Sequence, residues 1–225
     1  MKMFFFWCLR EWQRGMQGSR MIFACLAVGV AAMTAIGTTA ASVRQALELD
    51  ARAILGGDVA IQMTSRTLSA QELDRIAAWG TLGRSITLRT MLRAQDKVTL
   101  VEVKAVDEVY PLYGEFTITG RGSITGAEIS PEGVLVDAEV LTRLGVRVGE
   151  RVRLGNSWLT IDGVIEKEPG RSLDVFTLGP RAMMRLETLQ RTGLIVPGSL
   201  FQSYYALRLP EPSRAEAVAQ ELFAL

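Results

Sequence analysis

Few side chains in this sequence could perform catalysis. Carboxylates stand in two close pairs, Asp107 with Glu108 and Glu166 with Glu168, and paired carboxylates can act as general acid and base. Carboxylates at such spacing are more typical of a solvated surface. The chain has no histidine, so the commonest general base is missing, and no nucleophile can be paired with a base. We therefore predict that the protein is not an enzyme.

Motifs that hold a nucleophile, a phosphate or a metal are also missing from the sequence. Gly155-Asn156-Ser157 lacks the closing glycine of a G-x-S-x-G elbow. Gly56-Gly57 belongs to no G-x-x-x-x-G-K-[ST] loop and is interpreted as a helix stop. No basic patch along the sequence indicates nucleic acid. We predict no metal site and no bound cofactor, so that any energy from ATP must come through a separate subunit.

The longest apolar stretch, residues 21–41, predicts the element around which the chain is organised. It contains no charged residue and, at 1.5 Å per residue, would reach about 30 Å as a helix, the thickness of a bilayer core. A cleavable signal peptide has a shorter apolar core of about 7–15 residues. A buried helix of a soluble protein would show a polar residue on some face. The sequence thus predicts a transmembrane helix.

Small residues recur every four positions within this predicted span. Ala27, Ala31, Ala35 and Thr39 line one helical face, and small residues at this spacing let helix backbones approach closely in lipid. We predict that this face packs against other transmembrane helices, either of the same protein or of a second copy. A lone anchor that happens to be rich in alanine is the alternative.

The charges that flank the span predict its orientation. Residues 1–20 carry four basic residues against Glu11, and an excess of positive charge marks the cytoplasmic side. An aromatic apolar face within the same residues predicts an amphipathic helix on the membrane surface; a slightly longer transmembrane end with aromatic belt residues is the alternative. Cys8 and Cys25 fall in the tail and the span, so the exported part has no disulfide. Residues 42–57, which contain no proline, predict a stalk helix that ends at the Gly56-Gly57 pair.

The exported residues 58–225 alternate between strand and helix signals. A strand begins at Asp58, a capping box at Ser69 and Glu72 opens a helix to about Trp79, and residues 85–106 form a hairpin. Near the end, residues 202–209 predict a strand and Ser213 to Glu216 a second capping box. These segments indicate an α+β fold, with 58–114 and 200–225 as a first lobe.

Residues 115–199 predict an inserted, β-rich lobe. Residues 120–130 are expected to form a loop, and Gly133 to Val136 a buried strand that leads into a short helix capped by Asp137. Strong alternation around Asn156-Ser157 predicts an antiparallel unit in a compact, barrel-like lobe. Between the lobes lies the segment 110–114, with two tyrosines. It could stack a ligand, but the sequence is more typical of a hinge whose tyrosines cover a sheet edge.

Several segments in this order resemble one family. They are ILGGD at 54–58, VEVKAVDEVYPLYGEF at 101–116, VLVDAEVLTRLGVRVGERVRLG at 134–155, and EPGRS, LGPRAMM and TGLIVPGS between 168 and 199. Together they resemble the FtsX-like permeases of bacterial ABC systems with a MacB-like periplasmic core domain. The likeness is greatest to the large permease found with a lysophospholipase-type esterase and its own ATPase.

The resemblance implies a function and its partners. It implies a permease component in the bacterial inner membrane, with residues after 41 in the periplasm and ATP bound by a separate ABC ATPase subunit. The periplasmic domain would couple ATPase-driven motion to the handling of a substrate or partner, and membrane lipid and a periplasmic esterase are further implied contacts. Since the family continues with more spans, we expect this chain to be an N-terminal part. The alternative is a single-span periplasmic binding or scaffold module.

Overall fold

The structure, a computed structural model, describes residues 24–39, 42, 52, 55–170 and 179–223. The chain divides into two units, Met1–Asp50 and Ala51–Leu225, which are described separately. The predicted surface helix at 1–20 and most of the stalk at 42–57 lie outside the described residues.

In the first unit, residues 24–39 are helical and form α1. Its threonines bond back to the helix, as the hydroxyl of Thr39 donates to the carbonyl of Ala35 at 2.8 Å. Among the residues that the structure describes, we find no helix with the length and apolar character needed to cross a membrane. The predicted span at 21–41 extends past the described residues at both ends.

The second unit contains ten strands and four α-helices among its described residues. The strands are β1 Val59–Thr64, β2 Thr81–Ala94, β3 Lys97–Val106, β4 Thr117–Ile118, β5 Gly122–Ser123, β6 Gly133–Val136, β7 Arg151–Leu154, β8 Ser157–Lys167, β9 Arg181–Arg185 and β10 Gln202–Arg208. The helices are α2 Ala70–Ala77, α3 Ala138–Leu144, α4 Leu186–Arg191 and α5 Ala215–Phe223.

Six of these strands close into a barrel. Pairing runs from β2 through β3, β9, β6, β8 and β7, and β7 pairs again with β2. Alternate side chains along each strand fill the interior, where Leu92, Val103 and Ile161 are fully buried. Helices α3 and α4 add Val140 and Leu189 to this core. The predicted hairpins at 85–106 and around Asn156-Ser157 are confirmed. The barrel also contains β2 and β3, which lie outside the predicted barrel-like lobe at 115–199.

The long strand β2 continues out of the barrel. Near its start it pairs with β10, which in turn pairs with β1. One face of these three strands packs against α2 and α5 through a second apolar cluster that includes Ile76, Tyr205 and Val218. The sheet is therefore continuous across the predicted lobe boundaries near residues 114 and 200. The division of the domain into two lobes stays a prediction.

Local signals predicted some helix ends correctly and others wrongly. The capping box of α2 is present, with the Ser69 hydroxyl accepting from the Glu72 amide and Glu72 Oε2 accepting from the Ser69 amide at 2.7 Å. The second predicted capping box is wrong, because Ser213 lies inside a 3-10 turn, Pro212–Arg214, that precedes α5. Asp137 occupies the N-cap position of α3, but its carboxylate does not cap the helix.

The side chain of Asp137 serves a neighbouring strand instead. Its Oδ2 accepts from the backbone amide of Arg181 at 2.8 Å, since β9 pairs with β6 and extends that pairing to this position. The loop predicted at 120–130 is also more ordered than expected, because it holds β5 and a 3-10 turn, Gly126–Glu128. Phe116, Ile124 and nearby residues pack a third apolar cluster beneath it.

Candidate functional site

A cleft opens on the face of the sheet opposite α2 and α5. Because side chains alternate along a strand, Tyr205 points to the helices while Tyr204 points into the cleft. The cavity has a volume of about 320 Å³. Small and polar residues of β1, β10 and β2 form its floor, and the loops at 110–113 and 168–170 form its wall. We call it the tyrosine cleft, after Tyr110, Tyr113 and Tyr204.

Four charged side chains form a buried network at one end of the tyrosine cleft. Glu168 Oε1 lies 2.7 Å from Lys104 Nζ, and its Oε2 accepts from Arg181 Nε at 2.9 Å. A second Arg181 nitrogen donates to Glu102 at 2.7 Å, across the paired strands β3 and β9. The side chains of Glu168 and Arg181 are only 1% and 4% exposed. Two cations thus balance two carboxylates.

The cations of this network keep the Glu168 carboxylate ionised. Burial alone would raise the pKa of Glu168, but Lys104 and Arg181 outweigh it, so that the pKa lies below its ordinary value. Burial raises the pKa of Tyr110, whose hydroxyl lies 3.2 Å from Lys104 Nζ. Because its lowered pKa makes Glu168 a weak base, it is poorly suited to take a proton from a substrate. The network is suited to hold strands together.

Glu168 therefore does not lie where its sequence neighbourhood predicted. The interpretation of it as a solvated carboxylate is wrong, because Lys104 and Arg181 come to it from two other strands. Nothing local in the sequence distinguishes it from Glu166, which is exposed. The physical reason is register, since the strand pairing of β3 with β9 brings the two cations to one side of the sheet.

Asp107 is a second carboxylate that is buried against expectation. Its Oδ2 accepts from the backbone amide of Arg84 at 2.6 Å, while its Oδ1 is buried without a hydrogen-bond partner among the described residues. Burial raises the pKa of Asp107 to about 6, against the lowering effect of the Arg84 amide. Its neighbour Glu108 is exposed, as predicted. The two carboxylates therefore do not face each other as an acid and base pair would.

A third carboxylate, Asp58, joins the start of β1 to the loop at 110–113. Its Oδ2 accepts from the Tyr113 hydroxyl at 2.8 Å and from the Leu209 amide at 2.9 Å, and its Oδ1 lies 3.3 Å from Arg52 Nε. The Asp58 side chain is 1% exposed. Close by, the Tyr204 hydroxyl donates to the carbonyl of Leu55 at 2.7 Å. We call this group the Asp58 junction.

The Asp58 junction connects the chain that precedes the domain with the end of β10. Burial beside Asp58 raises the pKa of the Tyr113 hydroxyl, which stays a donor near neutral pH. From the sequence, Asp58 was predicted only to begin a strand. The one local feature that could have suggested a further role is its position directly after the glycine pair Gly56-Gly57. Tyr113 therefore binds a buried carboxylate, and the hinge predicted at 110–114 stays a prediction.

The predicted helix-packing residues lie apart from this site. Ala27, Ala31, Ala35 and Thr39 all fall within α1, and their side chains are exposed in the structure. What they pack against stays a prediction. Within the described part of the chain, no group of carboxylates and cysteines is placed to hold a metal ion.

Residues 21–225 match the family model of the MacB-like periplasmic core domain. The chain belongs to this family. The MacB-like core implied by the sequence resemblance is therefore confirmed.

A curated relative adds to this family assignment. The chain is 29% identical over 196 residues to the uncharacterized ABC transporter permease YbbP of Escherichia coli strain K12. The alignment covers 86% of this chain and 23% of the relative, so the chain spans about a quarter of that protein's length. The finer likeness to permeases found with a lysophospholipase-type esterase stays a prediction.

Two solved structures are similar to the chain. The periplasmic region of MacB from Actinobacillus actinomycetemcomitans is 11% identical with a TM-score of 0.49, over 70% of this chain and 73% of that one. The extracellular domain of the noncanonic ABC-type transporter YknZ from Gram-positive bacteria is 8% identical with a TM-score of 0.48, over 70% of this chain and 84% of that one.

Proposed function

We propose that the chain is the N-terminal part of the permease component of a bacterial ABC transport system. Its MacB-like domain would couple motion driven by an ATPase subunit to the handling of a substrate or a partner protein. The match to an ABC transporter permease over 86% of the chain supports this proposal. In it, ATP binds a separate subunit, and the chain holds no cofactor and catalyses no reaction.

The proposal places the chain in the bacterial inner membrane. Residues 1–20 would lie on the cytoplasmic side, residues 21–41 would span the bilayer, and the domain that follows would be periplasmic. The positive charge of residues 1–20 and the family of the domain support this arrangement. Contacts with further transmembrane helices, with lipid and with a lysophospholipase-type esterase belong to the same proposal.

The observation that carries the coupling role is the Asp58 junction. Motion of residues that precede the domain would reach Asp58 through Arg52, and Asp58 is bonded to both Tyr113 of the loop at 110–113 and the end of β10. A buried carboxylate with three partners transmits displacement because it cannot lose one partner cheaply. The tyrosine cleft lies directly beside it, so the junction can change the shape of the cleft.

Two steps test this proposal. The uninterrupted open reading frame that contains the chain, and the chain itself, are purified from detergent-solubilised membranes and assayed for an ABC ATPase. We expect the ATPase only with the longer product. Asp58→Asn in that product should keep the ATPase but lose any ATP-dependent change in hydrogen exchange at residues 110–113. Asp96→Asn, at an exposed hairpin turn, is the matched control.

Other outcomes would contradict the proposal at separate points. Recovery of no ATPase with either product would favour the single-span scaffold module. Recovery of the ATPase together with an unchanged exchange response in the Asp58→Asn variant would leave a transport component without coupling through this junction.

A further inference from the structure

The outer surface of the barrel carries arginines and apolar side chains that no element within the described residues covers. Alternation along the strands buries Leu92, Leu154 and Leu159 and turns their neighbours outward. Met91, Val98, Leu100 and Trp158 are between 38% and 55% exposed, a large fraction for such side chains. With two arginines they form a surface that we call the arginine wall, namely Met91, Arg93, Val98, Leu100, Arg153 and Trp158.

Strand register places these side chains in one row. Val98 pairs with Arg93, Arg93 with Arg153, and Arg153 with Trp158, across the four strands β3, β2, β7 and β8. Met91 pairs with Leu100 in the row beside it. Arg89 and Arg151, both exposed, flank the rows. Because these arginines are separated by up to 64 positions in the sequence, strand pairing alone creates the basic patch.

The two central arginines are an unfavourable pair on their own. Like charges directly opposite each other on neighbouring strands destabilise a sheet. The Arg153 side chain donates to the carbonyl of Gly155 at 3.2 Å, which leaves its charge in place. Among the described residues, no carboxylate lies within ion-pair distance of Arg93 or Arg153. An external anion placed between the two guanidinium groups would remove the repulsion and gain charge-assisted hydrogen bonds.

We propose that the arginine wall docks a second protein whose surface presents carboxylates at its centre and apolar side chains around them. Tryptophan, methionine and arginine are the residues enriched where proteins bind each other. The wall has its charges in the centre of the row and its apolar groups at both ends, so a complementary surface must have the same order with opposite charge. This inference goes beyond transport coupling and does not depend on it.

Two other occupants fit the wall less well. A membrane-binding surface needs an uninterrupted apolar face that enters the acyl region, whereas the paired Arg93 and Arg153 lie at the centre of this row. A second copy of the chain docked through the same surface would bring four central guanidinium groups together without a carboxylate between them. Charge complementarity therefore favours an acidic protein.

Site-specific crosslinking in cells tests the docking. The photoreactive residue p-benzoylphenylalanine is placed at Met91 or Val98 of the full-length protein, and at Val196 as an equally exposed control outside the wall. Adducts are identified by mass spectrometry. We expect one protein to be captured at both wall positions and not at Val196, with carboxylates next to the crosslinked site. In Arg93→Glu with Arg153→Glu, the adduct should fall about tenfold or more, because the charges then repel.

Charge reversal in the captured protein completes the test. Replacing its carboxylates at the crosslinked site by lysine should restore the adduct with the Arg93→Glu, Arg153→Glu variant. The neutral pair Arg93→Gln with Arg153→Gln guards against a folding defect and should give an intermediate yield. A lipid adduct only, an adduct within the chain, capture that charge reversal does not change, or no adduct would each overturn the proposal.

Discussion

At the scale of single residues, buried carboxylates tie segments of the domain together. Glu168, Asp107 and Asp58 are each largely withdrawn from solvent, and each is held by a different kind of partner: two cations, a backbone amide, and a tyrosine with a backbone amide and an arginine. A buried carboxylate is costly unless it is paired, so these three positions should be sensitive to small chemical changes.

Glu168→Gln should destabilise the domain strongly. The amide keeps the shape of the side chain but removes the negative charge between Lys104 and Arg181, which leaves an uncompensated buried cation. Breaking a buried ion pair in this way costs about 3 kcal/mol or more. Urea unfolding followed by tryptophan fluorescence, on the chain in mild detergent, measures the change.

Glu166→Gln is the matched control for this prediction. Glu166 is two residues away and exposed, and its replacement should change the free energy of unfolding by about 0.5 kcal/mol or less. Equal effects of the two substitutions would show that the Glu168 network contributes nothing particular to stability.

Asp107 should make stability depend on pH. Its pKa is about 6 in the folded chain against an ordinary value of 3.8, so the folded state binds more protons between these two values. The stabilisation contributed by the protonated Asp107 carboxyl is fully present below about pH 4 and is lost as the pH rises through 6. Two pKa units correspond to about 3 kcal/mol at most.

Asp107→Asn removes this titration. The free energy of unfolding of Asp107→Asn minus that of the parent chain should therefore rise by about 2 to 3 kcal/mol between pH 4 and pH 7. The measurement is urea unfolding at four pH values. Parallel curves for the two proteins would mean that Asp107 titrates at its ordinary value.

At the scale of elements, the sequence predicted correctly those turns and helix ends that depend on neighbouring residues. The Ser69 capping box, the turn at Gln95-Asp96 and the αL residue Gly145 after α3 are all present. The strand β9 was missed, because Arg181–Arg185 has two arginines and no alternation; its middle residues are buried on both faces by the barrel and the third cluster. Long-range pairing, which a short window cannot contain, determines that strand.

Helix α1 carries a prediction that belongs to the same scale. If Ala31 and Ala35 lie against other transmembrane helices, Ala31→Leu with Ala35→Leu should abolish co-purification of those helices while membrane insertion persists, because leucine prevents close approach. The measurement is recovery of partner spans from detergent-solubilised membranes. Val30→Leu with Met33→Phe enlarges the opposite face as a control. Unchanged recovery in the Ala31→Leu, Ala35→Leu variant would contradict packing through this face.

At the scale of the whole domain, closure of the barrel could not be read from the sequence in detail. The alternation around Asn156-Ser157 predicted an antiparallel unit, but it did not show that β7 would meet β2, whose paired residues Arg93 and Arg153 are sixty positions apart. The candidate site was missed for the same reason. Several of its bonds join distant segments, as Asp58 with Leu209 and Glu168 with Lys104 do, and only the fold brings those residues together.

The long strand β2 has a further consequence for how the domain opens. Its 14 residues give the barrel one wall and the three-stranded extension another, with no break in the backbone ladder between them. If either part unfolded while the other stayed folded, the strand that they share would have to be disrupted in its middle. The amide hydrogens along β2 should therefore exchange with solvent in one cooperative event. Any slow step in the degradation of this domain in the cell would be the unfolding of the entire domain.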